Sequence, residues 1–250
     1  TGVFFPDSQA GLPSEEVTLA EALGDMGYMT GIIGKWHLGN WHKRHLPMQR
    51  GFDYQYGLYG ALISYNGKTR GRYYDWHRNE KTIREEGYST DLIGDECVRV
   101  IEAHDGKKPM FLYVPFNAVH GPDEAPAELK KKYEALVAKQ SGDLPRAQQG
   151  FLTMKYAMLE SMDLAIGKIL NSLEAKGELD NPLVVFFNDN GGRKYNPPYR
   201  GGKGDNFEGG VRVPCLLRWP GKIPANRSVA GMIHVVDLFP TLLKQGKGSP

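Results

Sequence analysis

The 250-residue sequence has only two cysteines, Cys97 and Cys215. They are too few for a disulfide framework and their spacing matches no zinc motif, so they do not indicate a redox compartment. No apolar run approaches the roughly 18 residues that cross a bilayer, and we expect no membrane span. The net charge of +2 is too small to indicate nucleic-acid binding. The densest basic cluster, Lys130–Lys132 in AELKKKYEAL, is predicted to be the solvent-exposed face of a helix.

The composition is that of an ordinary globular protein, with 40% hydrophobic and 24% charged residues. Apolar runs of strand length, such as MTGIIG, PMFLYVPF and NPLVVFF, alternate with segments of helical periodicity. This alternation predicts an α/β fold with a mostly parallel central sheet and helices on both faces. With no internal repeat and no linker, we expect one domain.

Two helices are predicted from specific patterns. Thr18 and Glu21 have the spacing of a capping box at the start of VTLAEALGDMGY, and Gly27 is a plausible end for that helix. The segment FLTMKYAMLESMDLAIGKILNSLEAKGE carries an apolar stripe at helical spacing, which predicts core packing rather than a cofactor site. The stripe consists of Met154, Met158, Met162, Ile166, Ile169 and Leu173.

Polar residues follow three of the predicted strands directly. They are Lys35 and His37 after TGIIG, His120 in NAVHGP after FLYVPF, and Asp189 and Asn190 after LVVFF. Because ligands bind beyond the carboxyl ends of the strands in open parallel sheets, we expect these groups to face one pocket. Lys35 and His37 are two residues apart, so they share a face if the backbone stays extended.

The residue types suit an oxyanion held beside a hard cation. Asp189 and Asn190 offer carboxylate and amide oxygens, which suit calcium or magnesium rather than zinc, although two residues do not complete an oxygen shell. Lys203 lies in the glycine-rich segment YRGGKGDNFEGG, which lacks the spacing of a phosphate-binding P-loop. A metal, ammonium groups and imidazoles together suit a tetrahedral anion, sulfate or phosphate.

Each of these residues also has a structural interpretation. Lys35 fits an ordinary strand-end lysine, His37 a hydrogen-bonded histidine, and His120 a turn residue. NDNGG fits a plain turn with side-chain caps, and Lys203 a solvated loop lysine. The segment from Tyr54 to Trp76 is rich in aromatic and basic residues: it is either a specificity loop, with Arg70 or Arg72 pairing a second anionic group, or a loop packed by its own aromatics.

In these residues the sequence resembles the type I sulfatases, most closely the arylsulfatase B-like and bacterial glycan-sulfatase members of the alkaline phosphatase superfamily. The matching stretches occur in family order and cover nearly the whole chain. They are EVTLAEALGDMGYMTGIIGKWHLG, LPMQRGFDYQYG, PMFLYVPFNAVHGP, VVFFNDNGG, GGKGDNFEGGVRVP and DLFPTLL. The resemblance implies an alkaline-phosphatase-like fold and hydrolysis of sulfate esters, on a sulfated carbohydrate or an aryl sulfate.

The resemblance also implies a role for each site residue. Asp189 and Asn190 would bind a divalent cation, usually Ca²⁺, with Mg²⁺ as the other possibility. Lys35 and Lys203 would bind the sulfate oxygens, and His37 would hydrogen-bond the nucleophile. His120 would contact the sulfate and the leaving oxygen, which makes it the candidate for protonating the departing alcohol.

The family's nucleophile is a formylglycine made from Cys or Ser in a C/S-x-P-S-R motif, which these 250 residues do not contain. We therefore expect residues 1–250 to be part of a sulfatase catalytic domain, with the nucleophile segment before TGVFFP and a small C-terminal domain after residue 250. The supplied segment alone is expected to be inactive. The resemblance also favours a periplasmic, lysosomal or extracellular location.

Two alternatives remain open. One is a sulfatase homologue that binds sulfated glycans without turnover. The other is a phosphatase or phosphonate hydrolase of the same superfamily, whose two zinc ions would require an additional cluster of Asp and His residues that the sequence does not show.

Overall fold

The structure is a computed structural model that describes residues 9–178, 180–193 and 196–246. The terminal stretches TGVFFPDS and KGSP lie outside the described residues. The described chain forms two compact units, one made of residues 9–172 and 233–246 and the other of residues within 173–232. In chain order the elements are α1 (Leu19–Asp25), β1 (Met29–Lys35), β2 (Tyr54–Leu58), β3 (Thr69–Arg70), β4 (Tyr73–Tyr74), β5 (His77–Arg78), β6 (Lys81–Thr82), α2 (Ser89–Ala103), β7 (Met110–Tyr113), α3 (Ala127–Gln140), α4 (Arg146–Ala175), β8 (Val184–Phe187), α5 (Glu208–Val211), β9 (Cys215–Arg218) and α6 (Leu238–Gly246).

The first unit is built on a five-stranded sheet with the order β6-β5-β2-β1-β7. β1 pairs in parallel with both β2 and β7, so that Ile32 lies opposite Gln55 on one side and Tyr113 on the other. The short strands β5 and β6 add antiparallel pairs at one edge. The predicted parallel sheet is thus confirmed in its three longest strands, and the antiparallel edge comes from the irregular segment that follows β1.

Helices cover both faces of this sheet, as predicted. Neighbouring side chains of β1 point to opposite faces, because side chains alternate along a strand. Ile33 belongs to a buried cluster with Ile93 and Cys97 of α2. Ile32 belongs to a different cluster, with Ala20 of α1 and Trp36.

The predicted helical signals are confirmed. The Thr18 hydroxyl accepts the Glu21 N–H at 3.0 Å, and the Glu21 carboxylate accepts the Thr18 N–H at 2.7 Å, which completes the capping box. Met158 and Met162 of the α4 stripe are buried. Lys130–Lys132 are exposed on α3, as expected for a solvated face.

A buried arginine fixes the segment that enters α1. Arg50 is only 2% exposed and donates hydrogen bonds to the backbone carbonyls of Leu12, Pro13 and Glu16. Its Nε also lies 3.2 Å from the Glu21 carboxylate. Each guanidinium nitrogen thus has an acceptor, and these contacts offset the cost of burying its charge.

In the second unit, β8 and β9 pair antiparallel, with Val184 opposite Arg218 and Phe187 opposite Cys215. The expectation of a mostly parallel sheet does not extend to this pair. A parallel return usually needs a crossover helix, whereas the described part of the connection from β8 to β9 (residues 188–193 and 196–214) contains one helix, the four-residue α5.

Candidate functional site

The carboxyl ends of the parallel strands bring Lys35 and the His120 loop to one edge of the sheet. Lys35 is the last residue of β1 and lies opposite Leu58, the last residue of β2. Its N–H donates a 2.8 Å hydrogen bond to the carbonyl of Pro115, two residues beyond β7. The same segment continues to His120. Lys35 and the segment that leads to His120 therefore lie at the same edge of the sheet. That their side chains face one pocket, and the roles of these residues, stay predictions.

Gly34 permits this close approach of β1 to the segment after β7. Its φ is +136°, and a Cβ at this position would lie 2.2 Å from the Pro115 carbonyl oxygen. Any residue with a side chain would push the two segments apart or strain the backbone.

His37 does not continue the extended backbone of β1. Its φ is +56°, in the left-handed region, and its N–H donates a 3.0 Å hydrogen bond to the Tyr59 carbonyl. Between Lys35 and His37, Trp36 is buried and its indole N–H donates to the His45 carbonyl at 2.8 Å. The expectation that Lys35 and His37 share a face depended on an extended backbone, and the turn at His37 removes that basis.

Asp75 and His77 contact the segment around Tyr59, whose carbonyl accepts the His37 N–H. The Asp75 carboxylate accepts the N–H groups of Tyr59 at 3.0 Å and Gly60 at 2.8 Å. His77 Nε2 lies 3.0 Å from the same carboxylate, and its ring stacks on Tyr59 with centroids 4.1 Å apart. Burial, reinforced by the charges of Glu80 and Asp75, raises the pKa of Tyr59 to about 12.

The His120 loop is held by its own backbone and by a buried tyrosine. The His120 N–H donates to the Asn117 carbonyl at 2.9 Å, and the Tyr65 hydroxyl lies 2.7 Å from the carbonyls of both Asn117 and His120. His120 Nδ1 lies 2.8 Å from the Gly121 carbonyl, which can only accept. This contact therefore requires the tautomer with the proton on Nδ1.

Further hydrogen bonds, made by Glu124, Tyr88 and Lys155, hold this loop in place. The Glu124 carboxylate accepts the Tyr65 N–H at 2.8 Å, and the Tyr88 hydroxyl donates to the Glu124 carbonyl at 2.8 Å. Lys155 of α4 donates to the Val119 carbonyl at 2.8 Å. Burial raises the pKa values of the Tyr65 and Tyr88 hydroxyls above the ordinary value of 10.0, so both remain neutral donors.

These supporting residues were missed by sequence reasoning. Asp75 and Glu124 lie outside the helices and strands, and His77 begins the two-residue β5, so no periodicity marks any of the three as half-buried. The only sequence signal was indirect: aromatic residues are dense from Tyr54 to Trp76, which favours an ordered loop over a disordered one.

The second unit brings the Asp189–Asn190 turn and the Lys203 loop together through glycine contacts. The Lys203 N–H donates to the Gly192 carbonyl at 2.9 Å, and the Gly191 N–H donates to the Gly210 carbonyl at 2.9 Å. A Cβ at Gly191 would lie 1.9 Å from the Gly209 carbonyl oxygen, so this approach requires glycine. The predicted glycine-rich loop thus lies directly against the turn that carries the candidate metal ligands.

The oxygens of Asp189 and Asn190 fit a hard divalent cation. The Asp189 side chain is exposed and that of Asn190 is half-buried, so both are accessible. Among residues 9–178, 180–193 and 196–246, no group of three or more His, Cys, Asp or Glu side chains could hold a metal ion. A cation bound here therefore needs oxygens beyond these two. The convergence of Lys35, His37, His120, Asp189, Asn190 and Lys203 on one anion stays a prediction.

In the part of the chain that the structure describes, no helix is both long enough and apolar enough to cross a membrane.

Comparisons with known proteins point to one family. The sulfatase family model matches residues 2–248. Arylsulfatase J of Mus musculus is 31% identical over 253 residues, which cover 95% of this chain and 40% of that protein. N-acetylgalactosamine-6-sulfatase of Homo sapiens is 32% identical over 256 residues, which cover 93% of this chain and 45% of that protein. The chain thus spans less than half the length of these curated relatives.

A solved structure gives the same result for the fold. The crystal structure of Ps i-CgsB in complex with k-i-k-neocarrahexaose superposes with a TM-score of 0.84 and 30% sequence identity, over 98% of this chain and 56% of that one. The α/β architecture implied by the resemblance is therefore confirmed. The sulfatase family model matches residues 2–248, which are almost all of this chain. The chain therefore belongs to the sulfatase family.

Proposed function

We propose that the protein containing this chain is a sulfuric ester hydrolase that releases sulfate from a sulfated carbohydrate or an aryl sulfate. The observation that carries the proposal is the shared sheet edge at which β1 ends in Lys35, with His37 close behind, and the segment after β7 leads to His120. A lysine supplies the positive charge and two histidines supply the proton donors that cleavage of a sulfate ester requires.

Lys35 and Lys203 bind the sulfate oxygens in this proposal, and their ammonium groups offset the negative charge of the ester. His37 hydrogen-bonds the nucleophile. His120 donates a proton from Nε2 to the departing oxygen, because an alkoxide is a poor leaving group. The Nδ1 contact with the Gly121 carbonyl supports that assignment, since it fixes the tautomer and the orientation of the ring.

Asp189 and Asn190 would hold the divalent cation, Ca²⁺ or Mg²⁺, together with oxygens from elsewhere in the whole protein. The donor set fits, because carboxylate and amide oxygens are the ligands that these hard cations prefer. Such a cation would draw electron density from the sulfate oxygens when bound. The tight glycine contacts between the turn and the Lys203 loop would keep Lys203 close to that charge.

The nucleophile is expected to be a formylglycine, whose hydrate would supply the attacking oxygen. The 250 residues contain no C/S-x-P-S-R motif, and we propose that it lies in another part of the whole protein, as does a small C-terminal domain. A polypeptide of these residues alone is accordingly predicted to release no sulfate.

A carbohydrate substrate is favoured by the names of the similar proteins. One is an N-acetylgalactosamine-6-sulfatase, and one crystal structure was solved with a neocarrahexaose bound. The exposed side chains of Arg72 and Tyr73, in the segment after β2, are consistent with a sugar ligand.

The test uses the full-length protein, with formylglycine verified by mass spectrometry. It is incubated with p-nitrophenyl sulfate and a panel of sulfated oligosaccharides, and released sulfate is measured by ion chromatography. Sulfate release supports the proposal. If the modified protein releases no sulfate from any substrate, the proposal is wrong.

The same experiment distinguishes a sulfatase from a protein that binds sulfated glycans without turnover. Such a protein would bind the oligosaccharides and leave their sulfate content unchanged. A phosphomonoesterase would instead release phosphate from p-nitrophenyl phosphate and contain two zinc ions per chain.

A further inference from the structure

A short hairpin, β3–β4, projects beside the histidine-bearing edge of the first unit. Thr69 pairs with Tyr74 and Arg70 with Tyr73. Gly71, with φ +57°, and Arg72 form the turn. The Tyr73 side chain is 66% exposed and Arg72 is exposed, so the tip presents an aromatic ring and a guanidinium to solvent.

The base of the hairpin is rigid. The Ser64 N–H donates to the Thr69 carbonyl at 2.7 Å, and the Asp75 N–H donates to the Lys68 carbonyl at 2.9 Å. Lys68 itself is fully buried, and its ammonium group donates to the backbone carbonyls of Asn66 and Gly87. A lysine buried among carbonyl acceptors contributes to the internal structure of the loop rather than to its surface.

Both ends of the hairpin are joined by hydrogen bonds to a histidine-bearing segment. Before the hairpin, Tyr65 donates from its hydroxyl to the His120 carbonyl. After the hairpin, Asp75 accepts the Tyr59 N–H, and the Tyr59 carbonyl accepts the His37 N–H. The hairpin is therefore positioned relative to both histidines by short chains of hydrogen bonds.

Two arginines of the hairpin region, Arg72 and Arg84, lie over aromatic rings. The Arg84 guanidinium lies 3.8 Å from the centroid of Tyr74, and that of Arg72 lies 5.4 Å from the centroid of Tyr73. Within the described ranges, neither arginine has a carboxylate oxygen within the 4.0 Å of an ion pair. Arg72 Nη2 also donates to the Tyr73 hydroxyl at 3.3 Å, so one donor of this guanidinium is used within the tip. The other guanidinium donors of Arg72 and Arg84 remain for an anion.

The acidic residues near the hairpin are already engaged elsewhere. The Asp75 carboxylate accepts the amides of Tyr59 and Gly60, and the Glu124 carboxylate accepts the Tyr65 amide. The Glu85 carboxylate accepts the Tyr56 hydroxyl at 2.6 Å. None of these three carboxylates forms an ion pair with Arg72 or Arg84.

We infer that the β3–β4 hairpin, with Arg72 and Tyr73 at its tip and Arg84 on Tyr74, is a subsite for a second anionic sugar residue, next to the one that loses its sulfate. The inference rests on the proposed function. The tyrosine ring provides an apolar face for a sugar ring, and the guanidinium groups bind the anion, either a second sulfate ester or a uronate carboxylate.

The test compares Arg72→Ala with the wild type in the full-length protein. The substrates are p-nitrophenyl sulfate and matched oligosaccharides that carry one sulfate, two sulfates on adjacent sugars, or one sulfate and one adjacent uronate. Loss of a charge-assisted contact is expected to lower kcat/KM about tenfold on the doubly anionic oligosaccharides, through KM. The two doubly anionic substrates show which anion the subsite prefers. Activity on p-nitrophenyl sulfate is expected to stay at the wild-type level.

Arg146→Ala is the matched control, because Arg146 is an exposed arginine at the start of α4, outside the hairpin. It removes the same charge and should leave all kinetic constants unchanged. Equal kinetics of the Arg72→Ala variant and the wild type on every substrate would overturn the inference. An equal loss on p-nitrophenyl sulfate would also overturn it, because that result indicates general damage.

A failure of the proposed function is distinguishable from a failure of the subsite. If the wild-type protein releases no sulfate at all, the same oligosaccharides are titrated by calorimetry. About tenfold weaker binding by the Arg72→Ala variant, limited to the doubly anionic ligands, supports the subsite. Equal binding by both proteins, or no binding by the wild type, overturns it.

Discussion

The Tyr65 hydroxyl lies 2.7 Å from the backbone carbonyl of His120, and the same hydroxyl lies 2.7 Å from the Asn117 carbonyl. Tyr65 is 1% exposed and stacks on Tyr88, with ring centroids 5.1 Å apart. Met158 of α4 belongs to the same cluster, which also contacts Ala118 and Val119 of the loop. The candidate acid is therefore carried by a loop whose backbone is anchored in the core.

Tyr65→Phe is predicted to loosen this loop. The variant keeps the ring but removes the hydroxyl that donates to the His120 carbonyl, while the Asn117 carbonyl keeps the His120 N–H. Leaving the His120 carbonyl without this donor costs about 1–3 kcal/mol in the free energy of unfolding. In the full-length protein, kcat should fall because the His120 ring is less well positioned. Urea denaturation and steady-state kinetics measure the two effects. The control is Tyr156→Phe, an exposed tyrosine on α4, and equal values for both variants would contradict the role given to Tyr65.

Gly191→Ala is predicted to separate the turn that carries Asp189 and Asn190 from the α5 segment. The new Cβ would lie 1.9 Å from the Gly209 carbonyl oxygen, so backbone has to move. We expect a loss of about 3 kcal/mol in the free energy of unfolding, as for other severe steric substitutions. Gly231→Ala is the control in the same unit, because a Cβ there meets nothing closer than 3.6 Å. A Gly191→Ala variant as stable as the control would refute the close contact.

Asp189→Ala is predicted to weaken calcium binding by the full-length protein. Removing one carboxylate from an oxygen shell lowers both its charge and its ligand number. Calorimetric titration of Ca²⁺ into metal-stripped protein measures the affinity without depending on turnover. Asp180→Ala serves as the control, since Asp180 is 94% exposed and its Arg218 contact is a long 3.9 Å. Unchanged affinity in the Asp189 variant would remove Asp189 from the metal site.

The sequence alone was sufficient to predict helices that have a periodic apolar stripe or a capping motif. The Thr18–Glu21 capping box and the methionine stripe of α4 depend on neighbours three to seven residues apart, and the structure confirms both. Parallel pairing also aligns the ends of β1 and β7, so Lys35 and the segment that leads to His120 lie at the same sheet edge; a shared pocket stays a prediction.

Other features depend on long-range contacts that no local pattern encodes. Asp75 supports the His37 segment only because the chain folds back after the β3–β4 hairpin. The left-handed φ of His37 was not foreseen either, since non-glycine residues seldom adopt it. The antiparallel pairing of β8 with β9 depends on a 27-residue connection without a crossover helix, which apolar strand runs alone do not reveal.

The Glu96 carboxylate is predicted to make stability depend on acid pH. It is 5% exposed, accepts hydrogen bonds from Arg99 and the Tyr54 hydroxyl, and lies 2.8 Å from the Arg78 guanidinium. Burial alone would raise its pKa, but these hydrogen bonds and charges outweigh burial and lower the pKa below the ordinary 4.5. The stabilisation is therefore present above pH 4.5 and is lost as the pH falls toward the folded-state pKa.

Glu96→Gln tests this prediction, because it leaves the two arginines without their shared carboxylate. We expect the free energy of unfolding to fall by about 3 kcal/mol at pH 7. We also expect it to decline less steeply than that of the wild type between about pH 5 and pH 3. Urea denaturation across this pH range, with Glu128→Gln as the exposed control on α3, provides the comparison. An acid decline as steep as that of the wild type would show that Glu96 does not contribute it.

The most direct measurement is a crystal structure of the full-length protein with Ca²⁺ and a bound sulfate ester or sulfate ion. We predict the anion within about 3 Å of polar atoms of Lys35, His120 and Lys203, with Asp189 and Asn190 on the calcium ion. His37 should face the nucleophile. A sulfate bound elsewhere, with these six side chains spread over unrelated surfaces, would contradict the proposed site.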